Sequence, residues 1–161
     1  DHYHIEEMGC FSGQGSHIYN QIKSEDGDVF PDFDGLSSKW DKSSEYIALY
    51  PNVLLGVHID HFFSIIIEPI ATNKTIEHIS LYYSKNPSEI PQLNALIDEN
   101  ASFWKTVFRE DIGVVEGMQR GRNGLMFDGG KFSPVMDSAT HCFHHWIAQS
   151  IKDFRSKKSR L

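Results

Sequence analysis

The stretch FWKTVFREDIGVVEGMQRG, residues Phe103 to Gly121, predicts a long amphipathic helix. At about 100° per residue, one face of that helix collects apolar side chains within about 60° of Asp111. This apolar stripe consists of Trp104, Val107, Phe108, Val114, Val115 and Met118. Asp111 stands at the centre of a stripe that is expected to face the core, whereas Glu110 lies about 100° away from it.

A carboxylate in that position needs a partner. When it is desolvated and unpaired, it destabilises the fold or takes up a proton. Three interpretations of Asp111 remain open: a metal ligand, one half of a buried ion pair, or a general acid or base beside a pocket. The stripe alone favours none of them.

Strand-like segments precede the helix, at residues 2–11, 45–59, 61–71 and 75–84. The last of these segments partly alternates between apolar and polar residues, as a half-buried strand does. Because parallel strands need crossovers of a dozen or more residues, the short spacings between the last three segments predict antiparallel neighbours. A curved meander is expected.

After this meander, the apolar residues recur with the period of a helix. Pro91 is expected near a helix start, and the helix is expected to run to about Arg120. A final helix is predicted, with Ser133 as its cap and Pro134 in its first turn. The residues that align on its apolar face are Met136, Phe143, Ile147, Ile151 and Phe154. Strands followed by helices predict an α+β domain whose sheet wraps the long helix.

The composition restricts the class of protein. The chain has 161 residues, 40% of them hydrophobic, which suits one domain. A net charge of −7 argues against nucleic acid or an anionic membrane as the main partner. No apolar run is long enough to span a membrane and no signal peptide is recognisable, so the sequence predicts a cytoplasmic protein.

Nine histidines make a metal site the first chemistry to test. His141 and His145 in HCFHH are four residues apart, a spacing that suits two ligands on one helix. They lie off the predicted apolar face, so surface positions are expected. In HIDH, His58 and His61 flank a connection between two strands, where polar residues are common.

Three segments together resemble a known family: YPNVLLGVHIDHFFSIIIEPIATNKTIEHISLYY (50–83), ENASFWKTVFREDIGVVEGMQRG (99–121) and GKFSPVMDSATHCFHHWI (130–147). They resemble the C-terminal catalytic domain of Rieske non-haem iron oxygenase α subunits. The branch with choline monooxygenase and the glycine betaine or carnitine oxygenases looks most similar. The matching motifs are Tyr50-Pro51-Asn52, Glu110-Asp111-Ile112, Gln119-Arg120-Gly121 and Phe143 to Trp146.

The resemblance implies a helix-grip fold and a mononuclear Fe(II) held by two histidines and one carboxylate. Carried over by motif, the carboxylate is Asp111, as metal ligand and catalytic residue. Sheet and helix residues are then expected to line a substrate pocket. The expected pocket residues are Phe62, Phe63, Val107, Phe108 and Val115.

By the same resemblance, residues 1–161 are the C-terminal part of a catalytic domain. The two iron-binding histidines and the Rieske domain with its 2Fe–2S cluster are expected upstream, so the fragment alone is expected to be inactive. The parent would be a mono- or dioxygenase acting on an aromatic or small quaternary-ammonium substrate. Its other expected partners are dioxygen, a reductase or ferredoxin, and further copies of itself in a trimer.

Two other hypotheses remain. A sheet gripping a helix also describes metal-free ligand-binding modules, in which Asp111 would pair with an internal arginine or a ligand cation. A purely structural, oligomerising domain predicts no cavity beside Asp111.

Overall fold

The computed structural model describes residues 3–24, 26–86, 89–90 and 92–158. Six strands come first, followed by two helices. The strands are β1 (Tyr3–Met8), β2 (Phe11–Ser16), β3 (Ser44–Leu49), β4 (Val53–Val57), β5 (His61–Ala71) and β6 (Lys74–Tyr83). The helices are α1 (Leu93–Arg122) and α2 (Ser138–Lys158), with a short 3-10 turn at Ser38–Trp40.

The strands form one antiparallel meander in the order β1-β2-β3-β4-β5-β6. Each strand pairs with the next one along the chain, and β5 and β6 make the longest ladder, from the pair His61 and Tyr83 to the pair Ala71 and Lys74. The predicted α+β class and the antiparallel meander are confirmed. Among the described residues, no helix has the length and apolar content that a membrane crossing requires.

The predicted segments 2–11 and 45–59 are each interrupted by a turn. The segment 45–59 is two strands, because Tyr50, Pro51 and Asn52 form a turn with a cis Tyr50–Pro51 bond. The proline nitrogen cannot donate to a strand ladder, which is the physical reason for the break. Strand β2 was not predicted, because its sequence FSGQGS contains two glycines and little apolar alternation.

The helices also correct the prediction. Helix α1 begins at Leu93 and ends at Arg122, close to the expected end; Pro91 lies outside the described residues. Helix α2 begins at Ser138, five residues after the predicted cap. Ser133 caps a separate turn, since its Oγ accepts hydrogen bonds from the backbone N–H groups of residues 135 and 136.

The predicted apolar face of α2 is only partly buried. Phe143 and Ile147 are half-buried, while the other three members, Met136, Ile151 and Phe154, are exposed. Helix α2 packs against β1 and β2.

Apolar packing holds the first half of α1 on the inner face of the sheet. One buried cluster joins Leu93 and Leu96 of α1 to Phe30 from the loop after β2. A second joins Trp104 of α1 to Phe63 and Ile65 of β5. Burial of large side chains such as these contributes about 1.5–3 kcal/mol each.

A buried polar cluster lies beside Trp104, at the turn between β4 and β5. His58, Asp60 and His61 are 1%, 0% and 0% exposed. His61 Nδ1 is 2.8 Å from Asp60 Oδ1, and the Tyr19 hydroxyl donates to both carboxylate oxygens at 2.9 and 3.1 Å. The Trp104 indole N–H donates to His61 Nε2 at 2.8 Å. HIDH is thus a buried network rather than an ordinary surface connection.

Burial shifts the pKa values of several side chains in and around this cluster. It lowers the pKa of His58 from 6.5 to about 3, and the neighbouring His61 ring acts in the same direction. Burial and the Asp60 carboxylate raise the pKa of the Tyr19 hydroxyl well above its ordinary value. Burial also raises the pKa of Tyr83, to about 12. The His58 ring and the hydroxyls of Tyr19 and Tyr83 are therefore uncharged near neutral pH.

We predict that Gly56→Ala destabilises the fold by about 1–3 kcal/mol, because a side chain at that position overpacks the core. A Cβ on Gly56 would lie 2.2 Å from Cζ of the buried Phe63 ring, which is its cross-strand partner. Gly113→Ala in α1 is the matched control, since its Cβ meets nothing within 4 Å. Helix propensity predicts that this control stabilises by about 0.5–1 kcal/mol. Urea unfolding measures both variants, and equal stabilities would contradict the packing.

We also predict that His58 makes the fold sensitive to acid. Its pKa is about 3 in the folded protein and about 6.5 when unfolded, so between these values the unfolded chain binds the extra proton. Stability is therefore lost as pH falls below about 6.5, and His58 has no effect above it. From pH 7 to 5 the wild type should lose about 2 kcal/mol more unfolding free energy than His58→Gln does.

Urea titrations at the two pH values measure this difference. His145→Gln is the control, because His145 is exposed on α2 and its removal should leave the wild-type pH dependence in place. An equal pH dependence in wild type and His58→Gln would contradict the prediction.

Candidate functional site

A cavity of about 650 Å³ lies under the inner face of the sheet. Both helices and the inner face of the sheet contribute walls. Tyr46, Phe63 and Ile65 come from the sheet. Phe108 and Asp111 come from α1, and Phe143 comes from α2. The volume and the mainly apolar walls are typical of small-molecule sites.

Asp111 lines this cavity, but its side chain is exposed. The expectation that it is desolvated in the core is wrong, because only the first half of the apolar stripe is covered. Trp104 is buried, Val107 and Phe108 are half-buried, and Val115 is 61% exposed. Asp111 lies just past this transition, so water reaches the carboxylate from the open side of the cavity.

The five expected pocket residues divide into two groups. Phe63 and Phe108 line the cavity and make an edge-on ring contact with 5.2 Å between centroids. Phe62 stacks on Tyr82 at 4.3 Å, on the opposite face of the sheet, because successive strand residues point to opposite faces. Val107 packs against the buried cluster around Phe63 and Trp104.

Phe62, Val107 and Val115 are not among the residues that line the cavity. A pocket role for these three side chains stays a prediction.

A hydrogen-bonded chain closes the α2 side of the cavity. The Tyr50 hydroxyl donates to Ser12 Oγ at 2.7 Å, and Ser12 Oγ donates to the backbone carbonyl of Ala139 at 3.3 Å. The Tyr50 ring also packs against Phe143 and Trp146 of α2, with centroids 5.0 and 5.5 Å apart. Burial raises the pKa of the Tyr50 hydroxyl, so it remains a donor at neutral pH. Tyr50 therefore ties the end of β3 to the first turn of α2.

Two of the described acidic side chains lie in the cavity wall, Asp111 from α1 and Glu77 from β6. Glu77 reaches the inner face because it pairs with Ile67, which also lines the cavity. Two carboxylates in a mainly apolar wall give the cavity a negative potential. Such a wall favours an apolar ligand that carries positive charge, or a cation held beside it.

Asp111 is the motif-matched donor for a mononuclear iron among the described residues. Asp111 is a carboxylate with space beside it, which fits one of three ligands. No set of three or more His, Cys, Asp or Glu side chains suited to a metal ion occurs in the part of the chain that the structure describes. The described residues therefore supply only part of such a ligand set.

The histidines whose side chains the structure describes do not line the cavity. His141 and His144 make edge-on contacts with Phe132, at 5.2 and 5.1 Å between centroids, and both are exposed, as is His145. The prediction of surface positions for His141 and His145 is confirmed. His58 and His61 belong to the buried cluster and do not line the cavity.

Sequence reasoning missed both Glu77 and the Tyr50–Ser12 chain. In the sequence, Glu77 is only one polar residue of a partly alternating strand, and nothing marks it as part of a site. Ser12 belongs to β2, a strand that the sequence does not predict. The tyrosine of the YPN motif was the available signal for Tyr50. The cavity beside Asp111 also contradicts the hypothesis of a purely structural domain, which requires none.

Comparison with known proteins agrees with the motifs. A search of curated proteins found no match. A family model described as the ring hydroxylating alpha subunit (catalytic domain) matches residues 8–153, which includes all six strands in part or whole, α1 and most of α2. Because the match extends over far more than half of the 161 residues, the chain belongs to the family of ring-hydroxylating α-subunit catalytic domains.

Proposed function

We propose that this chain forms the substrate cavity of a Rieske-type non-haem iron oxygenase, and that Asp111 is its carboxylate ligand to Fe(II). The observation that carries the proposal is the position of Asp111: the motif-matched acid lies in the wall of a cavity large enough for a small molecule. The family match over residues 8–153 supports the oxidoreductase class.

In this proposal the parent enzyme incorporates dioxygen into an aromatic or small quaternary-ammonium substrate. The two other iron ligands and a 2Fe–2S Rieske cluster come from outside the described residues. Electrons arrive from a reductase or ferredoxin, and the parent is a cytoplasmic homo-oligomer. The iron supplies dioxygen activation when it is bound.

The chain's own residues bind and orient the substrate. Phe63, Phe108 and Tyr46 offer ring faces and edges to an apolar body, and such contacts also exclude water from it. Glu77 offers a negative charge within the same cavity. An aromatic ring and a trimethylammonium group can both use these walls, the second through cation–π attraction as well.

We predict that Asp111→Asn weakens Fe(II) binding by at least about tenfold in a longer protein that carries this chain together with its upstream segment. Loss of a partner outside the ligand set already costs about 10–100-fold in metal affinity, and a lost ligand should cost no less. Fe(II) content after dialysis against a chelator is the measurement.

Glu110→Gln is the matched control, because Glu110 is the exposed neighbour on the same helix and does not line the cavity. It should keep the wild-type iron content. Equal iron in Asp111→Asn and wild type would remove Asp111 from the ligand set.

We further predict that Glu77→Gln discriminates the two substrate classes. The variant should weaken choline binding by about two- to fivefold, as expected for an exposed charge pair, while indole binding is unchanged. Glu116→Gln removes the same charge from the exposed face of α1 outside the cavity and should change neither. Isothermal titration of the chain with each probe makes the comparison. Unchanged choline binding in Glu77→Gln would argue against the quaternary-ammonium class.

A further inference from the structure

Helix α1 is anchored along only one half of its length. Its buried residues are Leu93, Leu96, Asn100 and Trp104, and none lies further along the helix within the described residues. Trp104 is therefore the last buried anchor before the helix runs on to Arg122. Asp111, seven residues past Trp104, lies about 10.5 Å further along the axis. The part of α1 that forms the cavity wall therefore acts as a lever: when the helix tilts about Trp104, which we call the pivot, Asp111 is displaced.

A chain of hydrogen bonds fixes the orientation of the Trp104 side chain at this pivot. The Trp104 indole N–H donates to His61 Nε2 at 2.8 Å. Because an indole can only donate, His61 Nε2 must be its unprotonated nitrogen, and the ring proton lies on Nδ1. That Nδ1–H donates to Asp60 Oδ1 at 2.8 Å. The Tyr19 hydroxyl donates to the same carboxylate from the loop after β2.

Every member of this chain except Tyr19 is buried. His58 stacks on His61 with ring centroids 4.5 Å apart and planes inclined by 10°, which limits tilting of the His61 ring. Phe63 meets Trp104 edge-on at 4.6 Å. These ring contacts keep the Trp104 side chain buried, and the N–H···N hydrogen bond also restricts the direction of its indole ring.

The orientation of the indole ring affects the cavity wall, because a tilt of α1 at Trp104 is amplified further along the helix. A tilt of about 10° at Trp104 displaces position 111 by about 2 Å over the 10.5 Å between the two residues. Misplacement of a reacting or binding group by about 1 Å can cost a hundredfold in rate. The hydrogen bond at Trp104 therefore acts at a distance on the cavity.

We propose that His61 and Trp104 are positioning residues, and that the chain Tyr19–Asp60–His61–Trp104 sets the orientation of the distal half of α1 against the sheet. It thereby fixes the position of Phe108 and Asp111 in the cavity wall. The importance of Asp111 for chemistry rests on the proposed function, but the position of the helix does not.

The experiment measures a distance across the cavity by electron–electron double resonance. Spin labels are attached at Lys74→Cys, on the β5–β6 hairpin, and Glu116→Cys, on distal α1, both of which are exposed. Cys10→Ser and Cys142→Ser remove the two natural thiols. Trp104→Phe keeps an aromatic ring at the pivot, deletes the indole donor and makes the side chain smaller.

Trp104→Phe is expected to shift the mean distance by about 2 Å or more, or to broaden its distribution by a similar amount. Trp146→Phe is the matched control, because it makes the same change on α2, where the ring packs against Tyr50. It should leave the distribution as in the parent protein. A parent-like distribution in Trp104→Phe would overturn the proposal.

Rescue separates positioning from general packing. His61→Gln retains an acceptor for the indole, whereas His61→Leu does not. The glutamine variant is expected to keep the parent distribution and the leucine variant to reproduce that of Trp104→Phe, with helix content by circular dichroism unchanged in both. Equal distributions in the two His61 variants would overturn the proposal. This comparison also decides the matter if Trp104→Phe loses cooperative unfolding.

The measurement is made on the metal-free chain, so it is independent of iron binding. A parent-like distance in Trp104→Phe leaves the iron result for Asp111→Asn untouched. Retained iron in Asp111→Asn leaves the helix positioning untouched.

Discussion

The hydrogen bond from the Trp104 indole to His61 is the interaction on which the arrangement of sheet and helix depends. It joins the longest helix to the turn between β4 and β5, and it lies at the last buried residue of α1 among those described. Apolar contacts alone leave a helix free to roll or slide on a sheet, because the hydrophobic effect has no direction. A buried donor that finds only one acceptor removes that freedom, since an unmade bond costs about 1–3 kcal/mol.

The cavity follows from the same arrangement. Beyond Trp104 the described part of α1 has no buried residue, and α2 packs against β1 and β2. The space that remains is lined by rings from three directions and has two carboxylates in its wall. Asp111 is exposed for this reason, and an acid that is solvated in the absence of a ligand needs no internal cation. An exposed carboxylate in an open cavity wall can bind a metal, and before binding it does not destabilise the fold as a buried unpaired charge would.

Part of this was predictable from sequence. The partial alternation in β6 and the short spacings between β4, β5 and β6 predicted the antiparallel meander, because side-chain period and loop length are local properties. The helical period placed Asp111 on the same face as Trp104 and Phe108, and the structure has both Asp111 and Phe108 in the cavity wall. Burial is different, because it depends on how far the sheet covers the helix. The valines after Asp111 have the pattern of a core stripe and are nevertheless exposed.

The buried turn HIDH could not be predicted, for a related reason. A polar tetrapeptide between two strands has the same appearance whether water or a helix covers it. Only the position of α1 decides between these cases, and that position is itself held by His61. Buried polar groups rarely add stability over apolar residues of the same size, so a network of this kind is better explained by the orientation that it specifies. In this protein that orientation is transmitted along seven residues of helix to the one acid that both the motif and the cavity single out.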